Sequence, residues 1–272
     1  MAAEEKTKSP RSILKLGGSV ITVKGDPALI LREKELERIA EEVASLHTTL
    51  RPMVLVHGAG SFGHQIVART RIHEKVESES DRLAWAETQI LQNELNAMVC
   101  RIFLNKGVPA VPYQASSSGW MLNGKLRFIE LRPLRNLVKQ GLMPVLYGVP
   151  AVEETGGCRI LSGDTLTVAA ARSLNASLIF YGTDVDGVFN KNPSNNPDCK
   201  KWAKITRENW QKVKQGLTGS SNTDVTGGMA GKVYEALLLS REGISARIFD
   251  ATMKGSVNRV LGGEPLGTEI TW

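Results

Sequence analysis

At 272 residues the chain can bury a full core, as one large α/β domain or as two small lobes. Its 42% apolar and 23% charged residues are ordinary for a soluble globular protein. The net charge of +6 fits an anionic ligand, whereas the interleaving of bases with acids, as in Arg32-Glu33-Lys34-Glu35-Leu36-Glu37-Arg38, reads as a solvated helix face and argues against a nucleic-acid partner.

Residues 1–11 read as a disordered tail. They hold no apolar h-region, and no long apolar span occurs anywhere, so neither a secretory signal nor a membrane contact is expected and the expected location is cytoplasmic. Ser12 to Leu16 reads as a buried strand that breaks at Gly17-Gly18-Ser19. Glu33 to Leu46 is helical, with Leu36, Ile39, Ala40, Val43 and Leu46 on one face. Pro52 to His57 is a second buried strand, running into the glycine-rich turn Gly58-Ala59-Gly60-Ser61-Phe62-Gly63-His64. Asp81 to Asn105 is the longest helical candidate. Its main stripe is Ala84, Thr88, Leu91, Leu95, Met98 and Ile102, and Lys106-Gly107 ends it. Val108 to Tyr113 is a third strand.

Asn123-Gly124 then marks a two-residue hairpin turn, and Gly156-Gly157 a similar one between Val149 to Val152 and Cys158 to Leu161. A helix near Leu131 to Gln140 and a strand at Met143 to Tyr147 lie between them. Thr165 to Ser173 is helical, Ser177 to Tyr181 a strand, and Asn190 to Asp198 a surface loop. Lys232 to Glu242 is helical and Ala246 to Phe249 a late strand. Cys100, Cys158 and Cys199 are few, odd in number and widely spaced, which reads as free thiols in a reducing compartment. Apolar strands alternating with helices predict an α/β fold with a mostly parallel sheet covered on both faces. Ligands of such sheets bind beyond the carboxyl ends of the strands, where both glycine turns fall.

The chemistry follows from those turns. Glycines let the backbone approach a ligand and present consecutive N–H groups to an anion. Lys15, inside an apolar strand, either snorkels or is held for a phosphate, and the adjacent Gly-Gly-Ser favours phosphate. The lysine precedes its glycines, so this is not a Walker A loop. Lys24 gains interest only from its closeness to this first turn. His64 closes the second turn, where a ligand contact outweighs an ordinary loop role; His47, His57 and His73 lack such context. Asp164, in Ser162-Gly163-Asp164-Thr165, is either a helix N-cap or a carboxylate that holds nearby lysines or a magnesium shell. Thr183-Asp184-Val185-Asp186-Gly187 is either an acidic turn or a contact to ribose or base. Gly227-Gly228-Met229-Ala230-Gly231-Lys232 is a third glycine turn, at a helix start that favours phosphate.

Taken in order, Lys15-Leu16-Gly17-Gly18-Ser19, His57-Gly58-Ala59-Gly60, Ser162-Gly163-Asp164, Thr183-Asp184-Val185-Asp186-Gly187 and Gly227-Gly228-Met229 with Lys232 resemble the amino-acid-kinase family across residues 12 to about 260. Within it, Ser61-Phe62-Gly63-His64 is similar to the isopentenyl phosphate kinases, and fosfomycin-resistance kinases have a similar histidine. The resemblance implies a three-layer αβα sandwich over residues 12–272, usually dimeric, with the acceptor site in its N-terminal half and the nucleotide site in its C-terminal half. It implies phosphorylation of isopentenyl phosphate by ATP, with Mg²⁺ bridging the ATP phosphates. By that match Lys15, Gly17, Gly18 and Ser19 contact ATP phosphates, and Gly60 lies beside them. Ala59, Gly60, His64 and Gly163 face the acceptor; Thr183, Asp184, Gly228 and Lys232 belong to the nucleotide site; Lys24 supports the transition state. Ala59 stands where many members carry glycine, and a positive φ there would be strained, so it ranks below Gly60 and His64 as a contact. The tail of an isoprenoid acceptor needs an apolar pocket, for which Leu83, Ile90 and Leu91 of the long helix are candidates. The rivals are a kinase of the same fold acting on fosfomycin, acetylglutamate or UMP, and a nucleotide-binding sensor without catalysis.

Overall fold

A computed structural model describes residues 11–23, 29–193, 195–217 and 228–272; Lys24, Gly227 and all of the expected tail except Arg11 lie outside them. The first half comprises β1 (Ser12–Leu16), α1 (Gly18–Ile21), α2 (Glu33–Ala44), β2 (Val54–His57), α3 (Gly60–Thr70), α4 (Glu79–Asn105), β3 (Ala110–Pro112), β4 (Gly119–Leu122) and β5 (Lys125–Ile129). Next come α5 (Arg132–Lys139), β6 (Met143–Tyr147), β7 (Val149–Val152), β8 (Cys158–Leu161), α6 (Gly163–Leu174) and β9 (Leu178–Thr183). The remainder holds β10 (Val188–Phe189), β11 (Lys201–Trp202), β12 (Lys204–Ile205), α7 (Trp210–Leu217), α8 (Gly228–Ser240), β13 (Ser245–Asp250), α9 (Ser256–Leu261) and β14 (Thr268–Ile270).

Eight strands make one sheet in the order β12-β14-β13-β9-β1-β2-β6-β3. Neighbours run parallel except β13 and β14. Successive side chains of a strand point to opposite faces. Ile13, Val56, Ile179 and Ile248 therefore join one core with Leu134 of α5, Leu166 of α6 and Val233 of α8. Leu14, Leu55, Phe180 and Phe249 join a second core with Leu36 of α2, Leu95 of α4 and Val257 of α9. Helices thus cover both faces, giving the expected αβα sandwich. All five residues of β1 are buried, Lys15 among them, which explains why its sequence shows no alternation of apolar and exposed polar residues. None of the helices among the described residues is long and apolar enough to cross a membrane.

Three local details bear on the site. Ser78 caps α4 by accepting from the Asp81 N–H while its own N–H donates to the Asp81 carboxylate, so the helix starts two residues before the expected Asp81. Asn123 and Gly124 both take positive φ, as the hairpin turn requires. The segment after β2 corrects the sequence reading: Gly60 to Thr70 is a helix and not a loop, with His64 in its second turn. Gly60 and Gly63 depress helix propensity there, but Phe62, Ile66 and Val67 are buried and tertiary packing wins.

Candidate active site

Parallel neighbours β9, β1, β2 and β6 end side by side, and Thr183, Leu16, His57 and Tyr147 close them. Beyond these ends lies a cleft of about 620 Å³. It is lined by Lys15, Gly17, Gly18, Ser19, Ala59, Gly60, His64, Gly163, Asp164, Thr183, Asp184, Gly228 and Lys232. Every residue expected to meet the nucleotide or the acceptor phosphate is therefore in one cavity except Lys24, which lies outside the described residues.

The cleft floor holds three charges. The Asp164 carboxylate lies 3.2 Å from Lys15 Nζ and 2.7 Å from Lys232 Nζ. Asp164 is not the N-cap of α6: Ser162 fills that position by accepting from the Thr165 N–H, which frees Asp164 for the lysines. Lys15 reaches it because its strand parity points it to the α6 face, opposite Tyr181 in register. Burial would raise the Asp164 carboxyl, but the two ammonium groups outweigh it and hold the group below the usual carboxylate range. Burial, and then the like charge of Lys15, push the Lys232 ammonium down to about 8. The Lys232 Nζ also sits 5.0 Å from the centre of the buried Tyr181 ring, a cation–π contact. Two ammonium ions around one carboxylate leave an excess positive charge aimed at the cavity.

The glycine segments supply backbone donors. Ala59 has φ −65° and ψ −24°, so the strain expected at this position is absent; the positive φ, +55°, falls on Gly60 instead. Ala59 and Gly60 stand at the start of α3, where N–H groups have no intrahelical acceptor. His64, exposed, lines the same cavity one turn further on. A Cβ on Gly163 would lie 3.1 Å from the His57 carbonyl oxygen, so α6 begins pressed against the end of β2.

Several side chains that shape the cleft carry no signal in hydrophobic periodicity. His57 is fully buried. Its Nδ1 bonds the Gly58 carbonyl at 2.9 Å and its Nε2 meets Asn96 Nδ2 at 3.1 Å. Burial pushes it down to about 4, so at neutral pH the ring is uncharged, donating from Nδ1 and accepting at Nε2. Gln92 Nε2 donates to the Ala59 carbonyl at 3.1 Å, fixing the start of α3 from α4. Thr22 touches both glycine segments. A polar residue at i+4 on a buried face, as Thr88, Gln92 and Asn96 are, was the available clue.

The expected tail-pocket residues require correction. Leu83 and Ile90 are 65% and 57% exposed, and Leu91 packs among Ile66, Val67 and Ala84. The α4 residues that reach the cleft are Thr88 and Gln92, two positions out of helical phase with Ile90. The apolar wall comes from Val67, Ala68, Val149, Pro150 and Ile160, on α3 and the β7–β8 hairpin.

With this geometry in place, similarity to known proteins is informative. Residues 10–250 match the model of the amino acid kinase family. An isopentenyl phosphate kinase of Methanothermobacter thermautotrophicus is 37% identical over 266 residues, covering 95% of this chain and 98% of the relative. The isopentenyl phosphate kinase of Methanocaldococcus jannaschii is 31% identical, covering 95% and 98%. A solved isopentenyl phosphate kinase structure superposes with a TM-score of 0.81 at 35% identity, covering 96% of this chain and 100% of the other. Sequence, sheet topology and cleft agree, and the chain belongs to the amino acid kinase family, as a phosphotransferase.

Proposed function

We propose that this protein transfers the γ-phosphoryl group of ATP to isopentenyl phosphate, giving isopentenyl diphosphate and ADP. The observation that carries the reading is the Lys15–Asp164–Lys232 cluster facing the glycine segment ended by His64 across one cleft. The names of the relatives supply the acceptor. A phosphate monoester has a second pKa of about 6 and is mostly dianionic at neutral pH, so it is already nucleophilic and needs no general base. The barrier is the approach of two anions and the charge on the migrating group. Lys15, Gly17, Gly18 and Ser19 would hold the ATP phosphates, with Lys232, Gly228, Thr183 and Asp184 completing the nucleotide side. Ala59, Gly60, His64 and Gly163 would hold the acceptor phosphate. Lys24 belongs to the same reading as a transition-state cation. Asp164 would keep the two ammonium groups in place without taking a proton.

Mg²⁺ would shield charge on the ATP phosphates. Among the described residues no group of three or more His, Cys, Asp or Glu side chains could cage a metal, and both Asp164 oxygens face lysines. That donor set fits an ion held chiefly by nucleotide phosphates and water. The apolar wall of Val67, Ala68, Val149, Pro150 and Ile160 suits a five-carbon tail, each buried methylene contributing about 0.8 kcal/mol. A homodimer and a cytoplasmic location are parts of the same reading, open to sedimentation velocity and to localisation by imaging.

The test is a coupled ADP-release assay with isopentenyl phosphate, dimethylallyl phosphate, UMP, acetylglutamate and fosfomycin. Isopentenyl phosphate should give the highest kcat/KM, exceeding UMP and acetylglutamate by about a hundredfold or more. A higher value for any of the non-isoprenoid acceptors would replace the substrate assignment. ATP binding without turnover on the whole panel would favour a sensor.

A further inference from the structure

The two glycine segments meet across a seam with no room for side chains. A Cβ on Gly18 would lie 2.7 Å from the Gly60 nitrogen, and one on Gly58 would lie 2.7 Å from the Gly18 nitrogen. Each contact is too short for any residue but glycine. Into this seam projects the side chain of Thr22, which is fully buried at the end of α1. Its N–H and its hydroxyl both donate to the Gly18 carbonyl, each at 2.9 Å. The same hydroxyl oxygen accepts from the Ser61 N–H at 3.0 Å. A hydroxyl has a single proton; once Gly18 takes it, the lone pairs remain for Ser61. A directed chain therefore runs from Ser61 N–H through Thr22 Oγ1 to the Gly18 carbonyl, joining the first turn of α3 to α1. The backbone of Thr22 is itself anchored, its carbonyl accepting from Arg32 Nε at 3.2 Å. Its side chain also explains Gly60, where a Cβ would lie 2.4 Å from Thr22 Oγ1.

We propose that Thr22 is a positioning residue for phosphoryl transfer, its hydroxyl setting the separation between the segment that holds the phosphoryl donor and the segment that holds the acceptor. The inference rests on the assignment of those two segments given above. Thr22 acts through Gly18 and Ser61, to which its proton and lone pair are committed. In-line transfer requires the attacking oxygen about 3–3.5 Å from phosphorus, and a displacement of about 1 Å costs on the order of a hundredfold in rate. Each segment still binds its own anion when the link is cut, so kcat suffers and KM does not.

The test uses Thr22→Val, Thr22→Ser and Thr22→Cys in the full chain, with ATP and isopentenyl phosphate. Thr22→Val should lower kcat by about a hundredfold, with both KM values within about threefold of wild type, and Thr22→Ser should recover kcat to within about threefold. Thr22→Cys lacks the methyl group and puts a weak thiol donor in place of the hydroxyl; it should fall between them, which preserves the test if the valine variant does not fold. Hydrogen exchange supplies a readout independent of the acceptor: the ATP analogue AMP-PNP should slow exchange over residues 58–64 in wild type and in Thr22→Ser, but not in Thr22→Val or Thr22→Cys. Wild-type kcat in Thr22→Val or Thr22→Cys, equal losses in Thr22→Ser and Thr22→Val, or a rise in one KM at constant kcat would each overturn the proposal. If wild type fails to turn over isopentenyl phosphate, the substrate assignment falls, and the exchange comparison alone decides the role of Thr22.

Discussion

At the scale of single residues, Lys232 has the most to say about pH. Burial first, and then Lys15, bring its ammonium down to about 8, while Asp164 retains enough attraction to keep it charged at neutral pH. On the proposed assignment, nucleotide phosphate entering the cleft would add negative charge and favour the protonated lysine. At about pH 9, binding of AMP-PNP should therefore take up close to one proton per site, seen in calorimetry as a dependence of binding heat on buffer ionisation enthalpy. Lys232→Met should abolish that dependence; a wild type without it would remove Lys232 from the nucleotide site. Stability has the opposite sign. The folded value lies below the unfolded one of 10.5, so the cost of the buried charge is fully present below about pH 8 and relieved as pH rises between the two. Affinity should fall with pH over the same window in which this contribution to stability rises. Asp164 behaves in the ordinary carboxylate sense: its contribution is present above the unfolded value and lost as acid protonates it.

Among elements, α3 and α4 show what periodicity can and cannot reveal. The body of α4 and its end at Lys106-Gly107 were legible, because apolar spacing over so long a run is a strong signal; its cap, Ser78, was not, and the start was read two residues late. Its buried Gln92 and Asn96 were not, since their value lies in bonds to Ala59 and His57 that exist only after folding. The helical state of α3 was also hidden, because glycine argues against helix while the packing that overrides it is tertiary. A pair of substitutions separates the two demands on glycine in these elements. Gly60→Ala meets both an unfavourable φ of +55° and a Cβ 2.4 Å from Thr22 Oγ1, whereas Gly107→Ala meets φ +81° with nothing within 4 Å. Gly107→Ala should cost about 1–2 kcal/mol in denaturant titration and leave kcat alone. Gly60→Ala should cost more and lower kcat by about tenfold or more, because the segment must move away from α1. Equal stability losses with unchanged kcat in both would mean that only backbone strain matters at Gly60.

For the whole molecule, function depends on adjacency between distant parts of the sequence. Lys15 and Asp164 are brought together because β1 lies between β9 and β2 and α6 covers the face to which odd-numbered residues of β1 point. The alternation of strands and helices predicted the sheet and the end of it that binds ligands, but not the order of its strands, which is set by competition among many apolar pairings. Motif order supplied what periodicity lacked, which is why the polar residues of the cleft were legible and its apolar wall on α3 and the β7–β8 hairpin was not. The same arrangement collects positive potential at one end of the sheet: Lys15, Lys232 and the starts of α3, α6 and α8 all face the cavity. With a net charge of +6, the molecule as a whole would attract the two anionic substrates of the proposed reaction. Attraction between separated charges is screened by salt, whereas the buried pairs around Asp164 are shielded from it. Raising ionic strength from about 0.05 to about 0.5 M should therefore lower kcat/KM for ATP and for isopentenyl phosphate severalfold while kcat changes by less than about twofold. Steady-state kinetics in a non-coordinating salt makes the comparison. A fall in kcat with constant kcat/KM would place the salt-sensitive charges in the transition state and not in the capture of substrates.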